Sequence, residues 1–257
     1  MPHSFKLGKK PAVVDTRVPR MSRMTQGQLP APPDDCNWYA EVGEWLMLLN
    51  NLYGCCVEAA IFHCIMQFSA YAGKPLIPTD QEVIKFYEVT GFNPNDPSTD
   101  NGSYVLGPDG MATYWAKNGI MCGGVLNKVT GIMQITQKNP VHWRQGISTF
   151  AGMLAGISLP AVIMEADEVP YLWHDYSGPV AGGHEIWING YETLNMGVVY
   201  DLISWGGRYR ATEDFLMHCL DEAVVVVDEV ELNARGVNAA GLNKAQLSAD
   251  MALLNRG

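Results

Sequence analysis

Apolar positions fall into two regimes along this chain. From Gly54 to Tyr71 (GCCVEAAIFHCIMQFSAY) they are dense, free of proline and spread over a wide face, which predicts a long, mostly buried helix. Thr79-Asp80-Gln81-Glu82 carries a capping-box pattern that predicts a second helix, to about Val89. Residues 93–103 (NPNDPSTDNGS) crowd Asn, Asp, Pro and Gly together and read as a loop. Asp109 is placed to cap a short helix containing Tyr114 and Trp115. Farther on the pattern changes. Segments 123–135, 159–165, 184–192, 197–205 and 222–229 are rich in Val and Ile and predict strands, with one helix among them at about 142–155. A helical first half against a strand-rich second half predicts an α+β domain, its central helix packed on an antiparallel sheet.

The two ends differ from this body. Residues 1–35 read as an extended basic arm, 36–230 as the folded domain, and 231–257 as a tail in which Leu247, Met251 and Leu254 space a short amphipathic helix over 242–255. The arm holds Lys6, Lys9, Lys10, Arg17, Arg20 and Arg23 against Asp15, Asp34 and Asp35, a net of +3. The whole 257-residue chain carries −10, so the remainder carries −13. That split predicts electrostatic docking of the arm, on its own acidic body or on another subunit of a homo-oligomer or assembly. The alternative is a partly solvated leader. The acidic body argues against a nucleic-acid partner. The first 25 residues lack the apolar stretch of a secretory signal, and no apolar run is long enough to span a bilayer. No membrane partner and a cytoplasmic location are therefore expected. The six cysteines, two of them adjacent and the rest scattered, read as reduced thiols.

Chemistry concentrates at three segments. Gly54-Cys55-Cys56 opens the long helix, where glycine allows a close backbone approach and the helix N-terminus favours a thiolate. Asn50, six residues upstream of Cys56, can fold its amide over the same turn and donate to an oxyanion. The plainer alternative for Cys56 is a small buried core residue. His184 stands at the start of a strand behind Gly182-Gly183, either as a general base or as a hydrogen-bonded core residue. Asp201 and Ser204, on the following strand, are the acceptors that could orient its imidazole. Trp173, Tyr176, Trp187, Tyr191 and Trp205 surround His184 in sequence and are read as lining a cleft rather than filling an interface. Cys56, His63 and Cys64 share one helix, but no second cluster completes a zinc site, so no metal is expected. No phosphate loop or dinucleotide fingerprint occurs, so no cofactor is expected either.

Together these segments resemble the papain-like cysteine peptidases, over about residues 45–230. Gly54-Cys55-Cys56 matches that family's Gly-x-Cys, with Asn50 at the position of its oxyanion glutamine. His184 through Gly190-Tyr191 matches its His-strand, and Ser204-Trp205-Gly206 its Ser-Trp-Gly. The spacing of Asn50, Tyr53, Gly54, Cys56, Ala59-Ala60 and His63 is similar to an uncharacterised phage and bacterial branch. Val57 replaces the family's aromatic after the cysteine, and Ile203 stands where the family has the asparagine that orients the imidazole. The resemblance implies a papain-like fold, a central helix on an antiparallel sheet or half-barrel, and a thiol hydrolase that cleaves peptide or amide bonds. Its catalytic residues would be Cys56, His184 and Asn50, with Asp201 as the substitute third member. The alternative it implies is a weak or inactive papain-like fold that serves as a structural component of a phage particle.

Overall fold

The computed structural model describes residues 5–23, 29–166 and 168–228. The tail helix expected at 242–255 and Asp167 lie outside them.

Among the described residues six α-helices and ten strands follow one another in this order: β1 (Asp35–Asn37), α1 (Cys56–Tyr71), α2 (Asp80–Tyr87), α3 (Met111–Asn118), β2 (Ile120–Cys122), β3 (Val125–Asn127), β4 (Val129–Gln134), α4 (Pro140–Phe150), β5 (Met153–Pro160), α5 (Ala161–Glu165), β6 (Leu172–Trp173), β7 (Val180–Leu194), β8 (Gly197–Ser204), β9 (Gly207–Thr212), α6 (Glu213–Cys219) and β10 (Leu220–Asp228). The expected α+β architecture is present.

Helix α1 is buried without a break from Cys56 to Ser69, as a helix that is apolar all round must be. It lies against the long strand β7 of an eight-stranded sheet ordered β4-β10-β5-β7-β8-β9-β6, with β1 also paired to β7. Except for the short parallel contact of β6 with β9, every pairing in this sheet is antiparallel.

Strand alternation divides the interior in two. Leu154, Trp187, Ile203 and Val224 point to the α1 side, while Ile186, Ile188, Leu202 and Val225 join a second core that includes Trp143 and Phe215. Gln67 ties α1 to the sheet. Its Oε1 accepts from Trp187 Nε1 and Asn189 Nδ2, each at 2.8 Å, and its Nε2 donates to the Ala151 carbonyl at 2.6 Å.

Three expectations need correction. The helix expected at 142–155 ends at Phe150, and residues 153–160 form β5 instead. That run is apolar on both sheet faces, so its periodicity resembles a buried helix. The strand expected at 159–165 becomes α5 beyond Pro160. Asp109 does not cap α3; Gly110 holds the N-cap position without a side-chain bond. The capping box at Thr79 and Glu82 forms as expected. Glu82 also accepts from the amides of Gly123 and Gly124, which turn the β2–β3 hairpin.

Candidate functional site

The turn that delivers Cys56 to the start of α1 is held by its backbone. Leu48 and Leu49 take left-handed conformations with φ of 54° and 61°. The Gly54 amide donates to both carboxylate oxygens of Asp100, at 2.9 and 3.2 Å, and Asp100 also accepts from the Tyr87 hydroxyl at 2.7 Å. Cys55 turns away and directs its thiol to the Leu48 carbonyl at 3.5 Å. Cys56 is 1 % exposed at the first position of α1.

His184 lies on β7 across from this turn. Its Nε2 shares a 2.7 Å hydrogen bond with Ser204 Oγ, and its ring stacks on Trp205 at 4.3 Å. Nδ1 is buried and has no hydrogen-bond partner among the described residues, so the imidazole and the Cys56 thiol are not hydrogen-bonded in this state. Of the two acceptors weighed from the sequence, the structure puts Ser204 at the imidazole and not Asp201. Asp201 shares its strand face with Ile203, opposite to the face carrying Leu202, Ser204 and His184. Its carboxylate instead meets Arg210 Nε at 3.2 Å. Ile203 is fully buried in the α1-side core, opposite Trp187 in the β7–β8 ladder.

The chain's own arm runs between these two walls. Lys6 and Asn50 exchange bonds: the Lys6 amide donates to the Asn50 carbonyl at 2.9 Å, and Asn50 Nδ2 donates to the Lys6 carbonyl at 3.1 Å. Ser103 donates to the Gly8 carbonyl at 2.8 Å and accepts from the Lys10 amide at 2.8 Å. On the other wall, the Lys9 amide donates to the carbonyl of Gly183, the residue before His184, at 3.1 Å. Phe5 stacks on Trp205 at 4.9 Å, covering the ring that covers His184. The passage is tight enough that glycine is required at its crossing. A Cβ on Gly8 would fall 1.8 Å from the Gly54 carbonyl oxygen, and one on Gly183 would fall 2.2 Å from that of Lys9. Sequence reasoning expected the arm to dock but did not find this path; Gly8 in Phe-Lys-Leu-Gly-Lys-Lys was the available signal.

Burial governs the site's electrostatics. It pushes the Cys56 thiol up to about 12, although the amides of Glu185 and Gly8 act against it. The expected thiolate is therefore not the resting form while the arm is in place. Burial also takes His184 down to about 3, so the imidazole is neutral. Glu58, in the first turn of α1, is raised to about 7 by burial even though it accepts from the Ser103 hydroxyl at 2.6 Å. His63 is a structural residue, its Nε2 bonded to the Leu46 carbonyl at 2.8 Å and its ring edge-on to Trp45. Among the described residues no group of three His, Cys, Asp or Glu is placed to hold a metal ion. The aromatics expected to line a cleft mostly fill the interior instead: Trp173, Trp187 and Tyr191 are buried, and Tyr176 stacks on His218 at 3.9 Å. No helix among the described residues is long and apolar enough to cross a membrane.

Comparison with solved structures places this architecture. The chain is similar to procathepsin B from Trypanosoma congolense, with a TM-score of 0.63 and 10% identity over 89% of this chain and 88% of that one. It is also similar to xylellain, a cysteine protease from Xylella fastidiosa, at 0.55 and 13% over 88% and 97%. The digestive procathepsin L 3 of Tenebrio molitor larval midgut gives 0.59 and 12% over 84% and 75%. No family model matches the sequence, and no curated protein matches it. At such identities the likeness shows the fold alone: the chain has the α+β fold of papain-like cysteine proteases.

Proposed function

We propose that this protein is a papain-like cysteine hydrolase acting on peptide or amide bonds, and that the described form is its closed state. The observation that carries this reading is the arm itself. An extended main chain lies over Cys56, with a carbonyl on the Asn50 amide and an N–H on the carbonyl preceding His184. A cleft that satisfies peptide main chain on both walls is suited to a peptide substrate. In the open state His184 Nδ1 would take the Cys56 thiol proton, and the thiolate would attack a carbonyl held by Asn50 and the Cys56 amide. His184 would hand its proton to the leaving amine and then activate water, using Nδ1, while Ser204 holds Nε2 and fixes the ring. Asp201 has no part in this scheme.

A second reading is favoured by a specific observation. Ile203 is sealed in the core, and Cys56 and His184 are buried beneath the arm. A chain that keeps the fold without turnover, as a structural component of a phage particle assembled through its arm or tail, would look the same. The test is hydrolysis of fluorogenic peptide amides by full-length Gly8→Ala, in which the arm is loosened, against Gly8→Ala/Cys56→Ser. Turnover that depends on Cys56 supports the hydrolase. Its absence, with Cys56 no more reactive to iodoacetamide than the other thiols, refutes it in favour of the second reading.

A further inference from the structure

Lys9 anchors its side chain deep in the cleft. Its side chain is 0 % exposed, and its ammonium lies 2.9 Å from Asp221 and 2.9 Å from Glu222, both at the start of β10. It also donates to the Lys10 carbonyl at 3.1 Å. A third carboxylate, Glu185, closes the pocket from β7. Glu185 is 2 % exposed, and neither of its oxygens has a hydrogen-bond partner among the described residues.

The pocket is shaped for a long stem. At Gly156 of β5 a Cβ would fall 2.0 Å from Lys9 Cε and 2.8 Å from Glu222 Cγ, so glycine there gives the lysine its room. The pocket also adjoins the chemistry, because the amide of Glu185 faces the Cys56 sulfur. Burial and the neighbouring Glu222 hold the Glu185 carboxyl well above the usual range, with Lys9 opposing them. Burial alone would lower the Lys9 ammonium, yet Glu222, Glu185 and Asp221 outweigh it and keep it raised.

Glu185 and Glu222 are buried, so a cation entering in place of the arm's ammonium is favoured over a neutral side chain. Lys9 belongs to no helix or sheet strand of the body, and backbone bonds hold the segment on either side of it. We propose that this pocket is the specificity site of the cleft, selecting a lysine or arginine side chain on any peptide that lies where residues 5–10 now lie. The proposal rests on the reading of the cleft as a peptide site, but the two fail separately.

The test uses full-length Lys9→Ala and two labelled peptides, residues 5–10 as written and the same peptide with norleucine in place of Lys9. Fluorescence anisotropy should show the lysine peptide binding at least tenfold more tightly, and Glu185→Gln/Glu222→Gln added to Lys9→Ala should remove the difference. Equal affinities, no binding of the lysine peptide, or a preference that survives the double substitution overturns the proposal. Should Lys9→Ala fail to fold, n-butylamine, but not n-butanol, should restore its cooperative melt; restoration by neither, or equally by both, overturns it. Lysine-selective binding beside an inert Cys56 would sink the hydrolase reading alone. Cleavage indifferent to lysine would sink this one alone.

Discussion

Replacing Gly8 by alanine tests whether the arm is what silences Cys56. The new Cβ would lie 1.8 Å from the Gly54 oxygen, 2.4 Å from its carbonyl carbon and 2.6 Å from its Cα. All three are backbone atoms, and Asp100 pins the turn through the Gly54 amide, so the strain falls on the arm rather than on the turn. Forcing one methyl group into a packed contact costs about 1–3 kcal/mol. The hydrogen bonds of Lys6, Asn50, Gly8, Lys9 and Lys10 that hold the segment contribute about 1 kcal/mol each, so their sum exceeds that cost. The arm then stays mostly closed but opens more often. At tenfold per roughly 1.4 kcal/mol, labelling of Cys56 should accelerate about fivefold to 150-fold. Alkylation with iodoacetamide, read site by site by mass spectrometry, measures this, with Cys122 and Cys219 as internal controls. Unchanged labelling of Cys56 would refute the reasoning. A parallel rise at all six cysteines would refute it too, since that reports global unfolding.

Three further outcomes follow from buried polar contacts. Ser204→Ala leaves His184 Nε2 buried without its partner and should cost about 1–3 kcal/mol in urea unfolding, with Ser204→Thr losing less; equal losses would contradict a role for the hydroxyl. Gln67→Leu strands the Ala151 carbonyl and the Trp187 and Asn189 donors together, and a loss of roughly 3–5 kcal/mol is expected in the same assay, against which a loss below about 1 kcal/mol would count. Glu58 has its folded pKa raised from 4.5 to about 7, so its stabilisation is full below 4.5 and disappears as pH rises through about 7. The stability of the wild type relative to Glu58→Gln should therefore fall by about 3 kcal/mol between pH 4.5 and 8, and a flat difference would exclude a buried, protonated Glu58.

Much of the fold was legible wherever one local rule acted alone. The α1 helix, the capping box at Thr79, and strands β7, β8 and β10 each carry a periodicity or composition that tertiary structure reinforces. At residues 150–165 the rules conflicted. Both faces of β5 are apolar, so no period separates strand from helix, and the break falls at Ala151-Gly152, where a Cβ on Gly152 would strike Trp187. Local spacing put Cys56, His184 and Asn50 forward as candidates, because each stands beside a glycine or a turn. The partner of His184 was not legible, since choosing Ser204 over Asp201 depends on which β8 residues share the sheet face from which His184 projects, a parity the sequence of β8 does not declare. The carboxylates around Lys9 come from two strands and meet only through sheet register, so no linear pattern announces them.

The glycine crossing also fixes the phase of the arm. Sliding the segment by one residue would bring Leu7 or Lys9 opposite Gly54, where no side chain fits, and would withdraw the ammonium from its carboxylates at the same stroke. Insertions within residues 11–14, which are exposed, only lengthen chain at the surface, whereas one inserted between Gly8 and Lys9 separates the two anchors that must act together. Length change in this protein should accordingly be tolerated within the exposed stretch 11–14 and forbidden across the Gly8–Lys9 peptide bond, so that the arm tolerates change in reach but none in register.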